Sequence, residues 1–133
     1  MDFNTQVCTT LEQSKRLLAL GLKKETADMF YDLDDHYGLT AYVLYADLVN
    51  GWDDDYVPAW SLHRLLEMMP NTIVDSRVYL FVLRKRAISY ERDMGSDVLI
   101  WSNTGNLYYD AIRIIEQLIG SGDFNKEYLE ETK

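Results

Sequence analysis

The chain has 133 residues, of which 13 are basic and 22 acidic, for a net charge of −9. That length can bury roughly two thirds of the unfolded surface, so one domain spanning 1–133 needs no metal or disulfide staple. The negative field repels phosphate backbones and anionic lipids, which argues against direct nucleic-acid or membrane binding and favours a protein partner, basic if charge selects it.

Cys8 is the only cysteine, which rules out an intrachain disulfide. The N-terminal residues lack a basic segment followed by an apolar run, the mark of a signal peptide. The apolar stretch Val78–Leu83 is far shorter than the ~20 residues of a membrane span. These features predict a cytoplasmic protein.

The first helix is expected over about 10–20. Thr9…Glu12 and Thr10…Gln13 both have capping-box spacing. Leu11, Leu17, Leu18 and Leu22 form its apolar stripe, and Gly21 is its stop. From Glu25 to Leu33, Ala27, Met29, Tyr31 and Leu33 alternate with other residues, the period of a short strand. Asp34-Asp35-His36-Tyr37-Gly38 reads as a turn. The segment 39–49 is either a strand paired with the previous one or a helix striped by Leu44, Tyr45 and Leu48; a strand is favoured for its first half. Asn50 to Asp55 reads as a loop.

Ser61 is a good N-cap for a helix whose buried stripe is Leu62, Leu65, Leu66 and Met69. Trp60 and Leu65 stand at hydrophobic-staple positions, and Pro70 stops the helix. Val78–Leu83, Ala87–Glu91 and Val98–Trp101 are β-prone runs separated by short polar segments, the pattern of a three-stranded antiparallel meander. Asn106 caps a last helix with apolar positions Leu107, Tyr108, Ala111, Ile112, Ile115, Leu118 and Ile119, ended by Gly120 and Gly122. Phe124, Tyr128 and Leu129 are candidates to dock the polar tail. The expected fold is α+β: an antiparallel sheet containing the meander, with about three helices packed mainly on one face.

The segment Val57-Pro58-Ala59-Trp60-Ser61-Leu62-His63-Arg64-Leu65-Leu66-Glu67-Met68-Met69-Pro70, with the closing pattern from Asp110-Ala111 through Leu118-Ile119 to Gly122-Asp123-Phe124-Asn125-Lys126-Glu127-Tyr128, resembles a group of small proteins from gut bacteria and their phages or mobile elements. The resemblance covers the C-terminal half best. It implies an accessory mobile-element protein and carries over no activity or active-site residue.

Asp32, Asp34, Asp35 and His36 form a weak cation-site candidate, since carboxylates and imidazole ligate divalent metals. Counted from Asp32, an EF-hand loop needs Gly at position six and an acid at twelve; Tyr37 and Val43 stand there. A solvated turn is the simpler reading. Asp53-Asp54-Asp55 is a second acidic run. If the two runs met, they would repel unless a cation or basic group stood between them.

His36 and His63 have no nucleophile motif beside them, so catalysis through either is not expected. Cys8, near a helix N-terminus, is a candidate reactive thiol, though a lone cysteine without a defined partner is more often unremarkable. Arg84-Lys85-Arg86 with Arg92 reads as a hairpin turn or a charge-protected sheet edge. Trp52, Asp53, Asp54, Asp55 and Tyr56, acids beside aromatic rings, are the candidate partner surface. No cofactor is expected. The function so predicted is protein binding without catalysis; an acidic inhibitor or immunity-type protein that caps a basic partner is the alternative, and a metal-dependent hydrolase using Asp32–His36 the remote one.

Overall fold

In the computed structural model, residues 6–33, 40–43 and 56–131 are described. The chain divides into two compact units, Met1–Arg64 with Tyr128–Lys133, and Leu65–Glu127. Among the described residues, antiparallel strands form one sheet of three and one of four, an α+β arrangement.

In the first unit, helix α1 (Leu11–Ala19) starts at Thr10. Of the two possible capping boxes the chain uses the second: Gln13 N donates to Thr10 Oγ1 at 3.1 Å and Thr10 N to Gln13 Oε1 at 2.9 Å. Thr9 is thereby released for another task. Its hydroxyl bonds Ser14 Oγ at 2.8 Å and accepts from Trp60 N at 3.1 Å. This explains why the deepest face of α1 is Gln13, Ser14 and Leu17, while Leu11 and Leu18 of the expected stripe are only half-buried. Gly21 takes φ 103°, a left-handed stop that a side chain would resist, and Leu22 returns fully to the core.

The alternation from Glu25 to Leu33 overstates the strand. Thr26 Oγ1 donates to Lys23 O at 2.6 Å and closes a 3-10 turn over Lys24–Thr26, so β1 runs only Met29–Asp32. β2 (Thr40–Val43) is the strand expected in the first half of 39–49, and it pairs antiparallel with β1. β3 (Tyr56–Ala59) adds a strand where the sequence suggested only a lead to the next helix. It contains Pro58, which cannot donate to a ladder; pairing with β1 alone leaves β3 at the edge, where proline is tolerated. α1 packs against β3. The tail docks here: Lys23 N donates to Tyr128 O, Glu130 N donates to Gly21 O, and Leu22 bridges Leu129.

Helix α2 (Leu62–Glu67) is capped by Ser61, whose Oγ accepts from Arg64 N at 3.1 Å. Past it, in the second unit, Met68 and Met69 are buried before Pro70. The meander has four strands rather than three: β4 (Thr72–Asp75), β5 (Arg77–Arg84), β6 (Ala87–Arg92) and β7 (Asp97–Ser102), in that order. β4 is only four residues long and follows Pro70 at once, so its alternation was too short to read. Helix α3 (Leu107–Ser121) starts at Asn106, whose Oδ1 accepts from Tyr108 N and Tyr109 N, and stops at Gly122 with φ 82°. α3 packs on β6 and β7, burying Ile112, Ile114, Ile115 and Leu118 beside Ile88 and Tyr90. Phe124 is buried as well.

Candidate functional site

The first candidate lies at one end of the three-stranded sheet. The ladder sets Asp32, the last residue of β1, opposite Thr40 on one side and Tyr56 on the other. Residues two apart on a strand share a face, so Phe30 joins Asp32 there. Its ring meets Tyr56 edge-on with centroids 5.2 Å apart. Asp32, Phe30 and Tyr56 are all half-exposed.

Of the sequence-predicted residues, Asp32 and Tyr56 are therefore cross-strand neighbours. Asp34, Asp35 and His36, and Trp52, Asp53, Asp54 and Asp55, lie outside the described residues. In sequence, Asp34 comes two residues after Asp32 and Asp55 immediately before Tyr56. Among the described residues no group of three or more His, Cys, Asp or Glu is arranged to hold a metal ion.

Behind this end, the sheet is braced by partly buried polar contacts. Tyr31 Oη donates to Thr9 O at 2.8 Å and lies 3.4 Å from Cys8 Sγ. Cys8 is buried, and burial pushes its thiol above the ordinary range, opposite to what a reactive thiolate needs. Asp28 accepts from Ser61 N at 2.8 Å and Ser61 Oγ at 2.5 Å, and Arg64 Nε donates to Thr26 O at 2.7 Å while its guanidinium lies over the Tyr128 ring.

The second candidate was not read from the sequence. On the face of the four-stranded sheet away from α3 lies a groove of about 470 Å³ lined by Arg84, Ser89, Glu91, Met94, Gly95, Val98 and Trp101. At its floor Glu91 accepts two hydrogen bonds from Arg84, at 2.8 and 2.5 Å, and one from Ser89 Oγ at 2.8 Å. The Glu91 side chain is 7% exposed and that of Arg84 52%. First the Arg84 hydrogen bonds, then that of Ser89, hold the Glu91 carboxyl down at about 2, against 4.5 ordinarily. A Cβ on Gly95 would meet Glu91 Oε1 at 3.4 Å, an ordinary contact; it is the φ of 93° that favours glycine at this position. The sequence does carry a signal for this pair: Ser89 and Glu91 are the polar alternates of an otherwise apolar strand, a pattern that calls for a cation on the neighbouring strand. The turn is Lys85-Arg86 alone, and Arg84, expected in it, is the last paired residue of β5.

A depressed carboxyl stabilises the fold above its unfolded pKa and loses that contribution as pH falls towards its folded one. The Glu91 contribution is accordingly complete above pH 4.5 and disappears towards pH 2. Thermal melts of Glu91→Gln should start lower at neutral pH and fall less steeply across that window than those of the wild type. Parallel curves from pH 5 to 2 would contradict this.

Fold and sites together define an antiparallel α+β protein with a sheet end that sets Asp32 beside Phe30 and Tyr56, and a groove floored by an ion pair. No protein-family model matches the chain, and no curated protein and no solved structure shows significant similarity to it.

Proposed function

We propose that this chain works by binding another protein, and that the partner presents a basic surface to the acidic, aromatic end of the three-stranded sheet. The single observation that carries the reading is the register that sets Asp32 opposite Tyr56. It puts a carboxylate beside an aromatic ring at the point where, in sequence, Asp34 and Asp35 follow Asp32 and Asp53–Asp55 precede Tyr56, and an acidic stretch of this kind favours capture of a basic partner. Aromatic rings beside such charge supply the contact area that holds a partner once it is captured. An inhibitor or immunity-type role, in which this end caps a basic active site, is the most specific form of the same reading. The expected resemblance to accessory proteins of phages and mobile elements is compatible with it, and the partner would then be sought among the products of neighbouring genes.

Charge-led capture is salt-sensitive. The immobilised chain should retain a basic protein from an extract of its host at about 50 mM salt and release it by about 500 mM. Asp53→Asn, Asp54→Asn and Asp55→Asn together should abolish retention. If the triple variant retains the same protein as strongly as the wild type, the reading fails.

A further inference from the structure

We propose that the outer face of the four-stranded sheet is a dimer interface, occupied by the same face of a second copy of this chain. This face is independent of the acidic sheet end. α3 covers one side of the sheet, on which Ile88 and Tyr90 are buried. Strand alternation places Val74, Val78, Leu80, Val82, Ser89, Glu91, Val98 and Trp101 on the other side. The register joins them into continuous rows, Leu80–Glu91–Val98 and Val82–Ser89–Trp101.

Val74 is 71% exposed, Val78 and Leu80 54%, Val98 43% and Trp101 60%. Together with Met94 these side chains expose on the order of 500 Å² of apolar surface, at the upper end of what a lone protein shows. With its rim, such a face approaches the roughly 800 Å² per partner of a stable interface.

The charges say what covers it. Residues 72–102 hold five basic and four acidic side chains, net +1, so the remaining residues carry −10 of the chain's −9. Mid-face, Glu91 is neutralised by Arg84, as a desolvated interface centre requires. One end of the strands carries three acids and two arginines: Asp75, Arg77, Arg92, Asp93 and Asp97. The other carries Arg84, Lys85 and Arg86, with no acid in its strands or turns. A two-fold axis lying in the interface and across the strands sets each basic end over the other copy's acid-bearing end. The face is therefore complementary to itself, as an isologous contact demands. The same axis brings Trp101 of each copy towards Val98 and Met94 of the other.

Met94 fits this role. It is fully exposed and held at φ 56°, directly after Asp93 at φ 54°. Successive left-handed residues other than glycine are strained, and such strain is kept where the presented side chain has a use.

Sedimentation velocity on the full chain should give twice 15.5 kDa at about 100 µM. Trp101→Asp should weaken the dimer about 100-fold. Met94→Asn, which relaxes the backbone while removing the apolar contact, should weaken it several-fold with no loss of melting temperature. Arg86→Glu and Asp75→Lys should each weaken it about tenfold, and the double variant should recover to near wild type. A chain that stays at 15.5 kDa throughout, or a dimer indifferent to Trp101→Asp, overturns the proposal, whatever other partner the face then takes. A double variant weaker than both singles overturns the two-fold geometry.

Discussion

Trp60→Ala is expected to cost about 3–5 kcal/mol of unfolding free energy, the range for emptying a large aromatic site. Trp60 is 0% exposed. Its indole Nε1–H donates to Thr26 Oγ1 at 2.9 Å, and its backbone exchanges hydrogen bonds with Thr9, N to Oγ1 at 3.1 Å and O from Thr9 N at 2.8 Å. One residue thus ties the N-cap region of α1, the 3-10 turn and the end of β3 together. Trp60→Phe keeps most of the volume and loses the indole hydrogen bond, so it should cost only about 1–2 kcal/mol. Since small domains have about 5–15 kcal/mol in total, the Ala variant should be partly unfolded at physiological temperature. Urea titrations followed by circular dichroism would measure both. An Ala variant within 1 kcal/mol of wild type, or a Phe variant as damaged as Ala, would refute the account.

In the second unit the largest polar effect is expected at Asp110. Its carboxylate is 0% exposed; Oδ1 accepts from Ser102 Oγ at 2.8 Å and from Thr104 N at 2.7 Å. These bonds fasten the end of β7 and the loop after it to the first turn of α3. An acid there also suits the helix N-terminus. Oδ2 is buried with no hydrogen-bond partner among the described residues. Asp110→Ala strands both donors and should cost about 2–4 kcal/mol. Asp110→Asn keeps the acceptor at Oδ1 and replaces the orphan oxygen, so it should cost clearly less, about 1–2 kcal/mol. Equal losses for Ala and Asn would show that the two hydrogen bonds to Oδ1 are not what Asp110 supplies. Hydrogen exchange at the Thr104 amide should rise in the Ala variant before it rises in the α3 core.

What could be read from the sequence follows from how far apart the cooperating residues stand. Thr10 and Gln13, Ser61 and Arg64, and Asn106 and Tyr108 lie within one helical turn, so composition and spacing suffice for their caps. The 3.6 period of α3 was equally visible, down to its stop at Gly122, although Gly120, also expected to end it, lies inside the helix. β3 and β4 escaped because four-residue strands carry too few alternations, and Pro58 in β3 argues against a strand unless that strand is an edge. The buried polar face of α1 escaped because Gln13 and Ser14 are satisfied by Gln6 and Thr9, partners that periodicity does not register.

The acidity and the local elements of this small α+β chain were set by the sequence alone: composition fixes net charge and local spacing fixes caps and periods. The placement of that acidity was decided by tertiary structure. Asp32 and Tyr56 are far apart in the chain and become neighbours only through the β1–β3 ladder. Arg84 and Glu91 become a buried pair only through the β5–β6 register. Register is a collective property of hydrogen-bonded strands, and a shift of one residue would send each of these side chains to the opposite face. That is why charge could be counted from the sequence, while which charges meet, and which face is left for a partner, required the fold.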